Sequence, residues 1–237
     1  VYLLLRYLYT VFGFEFAILQ TAVPEVIVAL SIAAILTASA IAIFQENVKR
    51  LLAYSSVAQM GYITLGLAIA NENGLTGSLV HIFNHGIMKG ALFMVLGCIA
   101  LRAGGVSLDH LRGLGRRMPV TMTAFVIGGL SLIGVPGTVG FISKWYLVLA
   151  AVDAGMWPVA AVILAGSLLA VVYVWRLVEP IFFGTPDANA PAVQEAPLPM
   201  IAATWVLASA CIVFGFATDF TAGTARAAAQ MLLGTTP

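Results

Sequence analysis

The sequence predicts an all-α integral membrane protein of about seven transmembrane segments, the first of them partial. Three observations carry this. Of the 237 residues 61% are hydrophobic and only 9% charged, against about 25% charged in a soluble domain. Mean hydropathy is +1.03. The apolar stretches run unbroken over helix-spanning lengths of roughly 20 residues and do not alternate, which excludes a barrel. A net charge of +1 gives no electrostatic case for a nucleic-acid partner; the lipid bilayer is the surrounding medium.

In chain order the first segment is residues 1–16, short and holding Arg6. It opens on Val1-Tyr2-Leu3-Leu4-Leu5, with no basic leader and no small-residue cleavage site, so it does not read as a signal peptide. The chain is read as entering partway through a helix of a longer protein. Pro24 precedes the second segment, 25–44, as proline suits a helix's first turn. The third segment is 51–70 and the fourth 76–101. The fifth, 120–152, is too long for one straight crossing. The sixth is 158–183 and the seventh 199–217. Residues 184–197, rich in Pro, Ala and acidic side chains, read as an exposed loop. The tail, 219–237, is small and mildly amphipathic, suited to lying along the surface or fraying. Cys98 and Cys211 sit in apolar runs and read as small buried hydrophobes.

Alternating the loops puts Lys49, Arg50, Arg102, Arg112, Arg116 and Arg117 on one side and Glu15, Glu25, Glu72 and Asp153 on the other. The basic side is expected to be cytoplasmic, in a cell inner (plasma) membrane, with the C-terminus outside. Lys49 and Arg50 read either as topology anchors or, for Lys49, as a cytoplasmic entry to a buried path. Arg176 and Glu179 are spaced for an i, i+3 pair.

Two places break the apolar pattern where it costs most. In the fourth segment His81, His85 and Lys89 are four residues apart, so a helix stacks them on one face at about 6 Å per step. A charged side chain at the centre of a spanning helix costs about 2.5–3.5 kcal/mol, and such residues face a protein interior or wet cavity where they relay protons or ions. A lone membrane histidine is more often a hydrogen-bonded packing residue; Lys89 on the same face raises the relay reading. The pair could instead ligate a metal. Ile82 stands where a zinc-protease motif has Glu, no carboxylate or Cys is near, and Lys89 would repel a cation, so no metal is expected. In the fifth segment Gly134-Val135-Pro136-Gly137-Thr138-Val139-Gly140 removes a backbone donor and loosens the chain. The helix is expected to break there, its freed backbone groups tolerated only inside protein or along a wet cavity. Lys144 follows one turn later. It could snorkel to an interface, but the apolar residues beyond it favour a buried, partly desolvated amine able to exchange its proton.

These stretches carry a family resemblance. Lys49-Arg50-Leu51-Leu52-Ala53-Tyr54-Ser55-Ser56 with Gly61-Tyr62 resembles the KRLLAYSSxxxxGY signature of the antiporter-like membrane subunits shared by respiratory complex I and multisubunit Mrp-type Na+/H+ antiporters. His81, His85, Lys89 and Leu92-Phe93 resemble that family's HxxxHxxxKxxLF helix, and Gly134 through Lys144 its GxPxxxGFxxK broken helix. The resemblance covers about residues 1–184.

It implies the second of two inverted five-helix repeats, with 1–20 the end of a helix from the preceding repeat and 21–184 the repeat; composition alone adds an exposed loop at 185–198, a final helix at 199–218 and a tail at 219–237. The resemblance further implies protons passed along ordered water between Lys89, His85, His81 and Lys144. Lys144 would be the terminal switch, at a position where some members have Glu. The first-repeat lysines and their acidic partner would lie upstream. Within the family, a D-type subunit of an Mrp antiporter is the first expectation and a proton-pumping subunit of a complex I-like oxidoreductase or hydrogenase the second. Other membrane subunits, protons and Na+ are the implied partners. The chain has no CxxC and no nucleotide-binding glycine loop, so no cofactor is expected and the chain is not read as an enzyme on its own. A non-conducting scaffold, or a membrane enzyme using the histidine pair on a lipid-soluble substrate, are the readings from other classes.

Overall fold

In the computed structural model, residues 1–185 and 193–234 are described, and their regular structure is helical throughout. The chain enters through α1 (Tyr2–Arg6), which widens into a π-helical turn (Tyr7–Val11), stops at Gly13 with φ +82°, and resumes as a second wide turn (Glu15–Leu19). Then come α2 (Val23–Ile43), α3 (Val48–Ile69) and α4 (Glu72–Ala103). A short connection holds a 3-10 turn (Asp109–Leu111) and α5 (Leu114–Arg117). The remaining helices are α6 (Pro119–Ile133), α7 (Val139–Asp153), α8 (Trp157–Phe183), α9 (Leu198–Phe216) and α10 (Thr224–Leu233), the last preceded by a wide turn, Asp219–Gly223.

Helices α2, α3, α4, α8 and α9 are each long and apolar enough to cross a membrane. At 1.5 Å per residue α6 and α7 reach only about 22 Å each, short of a hydrocarbon core of about 30 Å. Together they make one interrupted crossing, as the sequence predicts, and with the short first segment the total is about seven. Boundaries follow local chemistry. Pro24, Pro119, Pro158 and Pro199 sit in first turns, where a missing N–H costs nothing. The Asn47 side chain caps α3 by accepting from the N–H groups of Lys49 and Arg50, and Asn71 caps α4 through Gly74 N–H.

α4 is the hub. It packs against α3, α6, α7, α9 and α10. The larger core gathers Met88, Leu92 and Val95 of α4 with Met122 and Phe125 of α6, Tyr173 of α8 and Cys211 of α9. A second core joins Ile35, Tyr62, Leu147 and Ile163 from α2, α3, α7 and α8. Both cysteines are free and buried. Large side chains such as Leu168, Val206 and Phe216 stand outward, as a bilayer permits.

The tail is a docked helix. Ala229 of α10 is buried with Leu5, Leu8 and Leu75, and Arg226 reaches Glu72 at 3.4 Å. Of the stretch read as an exposed loop, 186–192 lie outside the described residues, as do 235–237 of the tail. Within the loop's described part, Ala196 is buried, and Glu195 accepts from Val120 N–H at 2.6 Å and from the Thr121 hydroxyl at 2.6 Å, capping α6 from afar.

Candidate functional site

The break between α6 and α7 is built by glycine and proline. Gly134, at φ +90°, takes a left-handed conformation that side chains resist, and both its N–H and that of Val135 return to the Leu130 carbonyl. Thr138 N–H then closes a turn on Val135 at 3.1 Å, with Pro136 second and Gly137, at φ +86°, third. That is the residue pattern of a type II turn. Gly140 lets the two half-helices meet: a Cβ there would collide with the Ser131 carbonyl oxygen.

Ending α6 at Ile133 frees its last carbonyls. Lys144, one turn into α7, curls back and fills them. Its Nζ donates to Leu132 O at 3.1 Å and Ile133 O at 2.8 Å, and lies over the Tyr62 ring, 4.9 Å from its centre. The side chain is buried, 5% exposed, so it does not snorkel. Carbonyls suit an amine in either protonation state, because a neutral amine still donates.

The α4 line lies beside this break. His81 is fully buried, with Nδ1 2.7 Å from Ser143 Oγ on α7 and Nε2 2.9 Å from Gln59 Oε1 on α3. One turn on, the His85 ring lies nearly parallel to it, centroids 6.4 Å apart. A further turn on, Lys89 is buried and its Nζ donates to Leu52 O at 2.8 Å and to the Ser55 hydroxyl. Asn84 donates to Val139 O at 2.6 Å, tying α4 to the first turn of α7. Its Oδ1 and the Nε2 of His85 are buried without a protein partner. Buried polar atoms of this kind are ordinarily met by water.

The structure thus gathers His81, His85, Lys89 and Lys144 where α3, α4 and α7 meet, with Gly134, Pro136, Gly137 and Gly140 forming the break beside them. Lys49 is elsewhere: it is exposed at the N-terminus of α3. Sequence reasoning did not single out Gln59, Ser55, Tyr62 or Ser143 as partners. A signal existed on α3, where Ser55, Gln59 and Tyr62 fall at i, i+4 and i+7, a single polar stripe in an apolar helix. Among the described residues no three His, Cys, Asp or Glu side chains come together as a metal site would need.

Residues 1–170 match the family model described as NADH:quinone oxidoreductase/Mrp antiporter, TM. The chain is 45% identical over 166 residues to NADH-quinone oxidoreductase subunit N of Desulforudis audaxviator (strain MP104C), which covers 70% of this chain and 33% of that protein. Among solved structures it superposes on a chain of the Mrp complex from Dietzia sp. DQ12-45-1b with TM-score 0.84 at 26% identity, covering 90% of this chain and 48% of that one. On a chain of the membrane-bound sulfane sulfur reductase, an archaeal respiratory membrane complex, the TM-score is 0.79 at 31% identity, covering 90% and 43%. The chain therefore spans a third to a half of the length of these relatives.

Proposed function

Because the chain belongs to the NADH:quinone oxidoreductase/Mrp antiporter membrane-subunit family, we propose that it forms a proton-translocating part of a multisubunit membrane complex. The observation that carries this is Lys144: a buried amine held by two carbonyls that a helix break has released, one residue from the serine that touches His81. Protons pass between Lys89, His85, His81 and Lys144, with water meeting the atoms of His85 and Asn84 that protein leaves unpaired. Those unpaired atoms favour a hydrated track over a dry scaffold. A membrane potential contributes about 2.3 kcal/mol per charge per 100 mV, enough to bias each protonation step. The partners are the other membrane subunits of the complex, and the basic loops, with Lys49 at their entry edge, face the cytoplasm across the plasma membrane. In this reading the chain is a transport subunit, and any redox chemistry belongs to other subunits of the complex.

Two drivers fit. A cation/proton antiporter of Mrp type remains one, and the Dietzia superposition supports it. The other is a redox-driven complex, favoured by the 45% identity with the Desulforudis oxidoreductase protein against 26% with the Mrp chain. Inverted membrane vesicles holding the whole complex separate them. Acidification started by NADH indicates the redox assembly, and a pH change started by added Na+ the antiporter. In either case Lys144→Ala and Lys89→Ala should stop the proton movement while the complex still assembles. Wild-type movement in both variants would remove the proposal.

A further inference from the structure

His81 has both ring nitrogens occupied by protein, Nε2 at Gln59 Oε1 and Nδ1 at Ser143 Oγ. A neutral imidazole has one donor and one acceptor nitrogen; a protonated one has two donors. With Gln59 Oε1 accepting, Nε2 carries the hydrogen and Nδ1 accepts from the Ser143 hydroxyl. If a proton then arrives at Nδ1, that hydroxyl must accept, and its own hydrogen needs another place to go. The structure supplies one: the Gly140 carbonyl lies 3.3 Å from Ser143 Oγ. Ser143 is fully buried, so no bulk water competes for either position.

We propose that Ser143 is a positioning residue whose hydroxyl turns between His81 Nδ1 and the Gly140 carbonyl, allowing His81 to hold and release a proton beside the helix break. The step balances. An ammonium of the relay, acting through water, delivers a proton to Ser143 Oγ as the hydroxyl's former hydrogen passes to Nδ1. Serine ends neutral, its new O–H donating to the Gly140 carbonyl, and His81 ends as imidazolium with both N–H groups donating. The reverse returns the proton. Because Gly140 belongs to the break and Ser143 adjoins Lys144, the charge on His81 is read directly by the half-helix carrying the terminal lysine. The groups facing His81 are Gln59 and Tyr62 from α3, His85 and, further along, Lys89 from α4, Ser143 and Lys144 from α7, and Tyr173 of α8 behind Gln59.

This rests on the proton-translocating reading, and the test separates the two. The whole complex is reconstituted in vesicles and its proton movement measured against pH for Ser143→Ala, Ser143→Thr, His81→Gln and the double variant S143A/H81Q. Ser143→Ala should lower the rate by roughly tenfold or more and displace the pH profile, as losing a proton-transfer partner does. Ser143→Thr, which keeps the hydroxyl, should restore both. In the His81→Gln background Ser143→Ala should add nothing, because the two residues act as a unit. Ser143→Cys, whose thiol is a poor donor and acceptor, should follow alanine and serves if the alanine complex fails to assemble. A wild-type rate and profile in the assembled Ser143→Ala complex, or in the cysteine one where alanine fails to assemble, overturns the proposal, as does an equal loss with and without His81. If Lys144→Ala and His81→Gln also move protons normally, the translocation reading falls with it; if they do not, only the serine's role falls.

Discussion

Lys144 Nζ meets the carbonyl oxygen of Ile133 at 2.8 Å, reaching back across the helix break to the residue where α6 ends. A break inside a membrane leaves acceptors that lipid cannot satisfy, and this chain closes them with a basic side chain. Structure and transport therefore draw on the same group. Lys144→Met keeps the length and loses the donor. Proton movement by the complex should fall by roughly a hundredfold or more, the usual contribution of a positioned proton donor. Assembly, read on a native gel, should persist. A variant complex with normal proton movement would show that the amine only plugs the break.

The break also depends on how closely its halves approach. A Cβ at Gly140 would strike the Ser131 carbonyl, whereas Gly86, in the exposed middle of α4, has nothing within 4 Å of where its Cβ would be. Gly140→Ala should cost about 1–3 kcal/mol as overpacking and displace α7 together with Lys144. Gly86→Ala should raise stability by about 0.5–1 kcal/mol, since alanine loses less freedom in a helix. Thermal unfolding of the two purified variants checks both signs; equal melting temperatures would show that the halves are not in tight contact.

The elements that proved legible in the sequence share one feature: their signal is local. Gly134, Pro136 and Gly137 announce a turn by backbone chemistry alone, and His81, His85 and Lys89 announce a face by spacing alone. The apolar runs gave helix ends to within a few residues, although α4 begins at Glu72 rather than residue 76. What stayed hidden depends on packing between helices. Nothing in the order of residues says that Gln59 faces His81, 22 positions away, or that Ser143 does from 62 away. Glu195 gives no sign that it caps a helix 74 residues earlier. The tail's amphipathic spacing was visible, but its seat against α4 becomes evident only with Glu72 opposite Arg226.

Two lysines of the KRLLAYSS and HxxxHxxxK stretches should behave differently. Lys89 is buried against the Leu52 carbonyl and the Ser55 hydroxyl, while Lys49 is exposed at the N-terminus of α3. Lys89→Ala should stop proton movement. Lys49→Gln acts only through a solvent-screened charge and should change the rate within roughly twofold, with the difference vanishing at high salt. Initial rates at low and high ionic strength provide the comparison. A salt-independent collapse on losing Lys49 would place it within the path itself.

Glu195 sits just before α9 yet serves α6. One carboxylate oxygen takes the N–H of Val120 at 2.6 Å and of Thr121 at 3.4 Å, and the other takes the Thr121 hydroxyl at 2.6 Å. An acceptor at a helix N-terminus satisfies donors that the helix cannot, and its negative charge suits the local dipole. The contact also pins the start of α9 to the start of the broken crossing, on whose far end Lys144 depends. Glu195→Ala should therefore cost about 1–2 kcal/mol, as a lost N-cap does. Glu195→Gln keeps acceptor geometry but loses the charge, and should fall between the two. Because the cap lies far along α6 from the break, proton movement per assembled complex should stay near wild type while the melting temperature drops. A loss of rate without a loss of stability would instead mean that the N-terminus of α6 moves during the cycle and that Glu195 holds it.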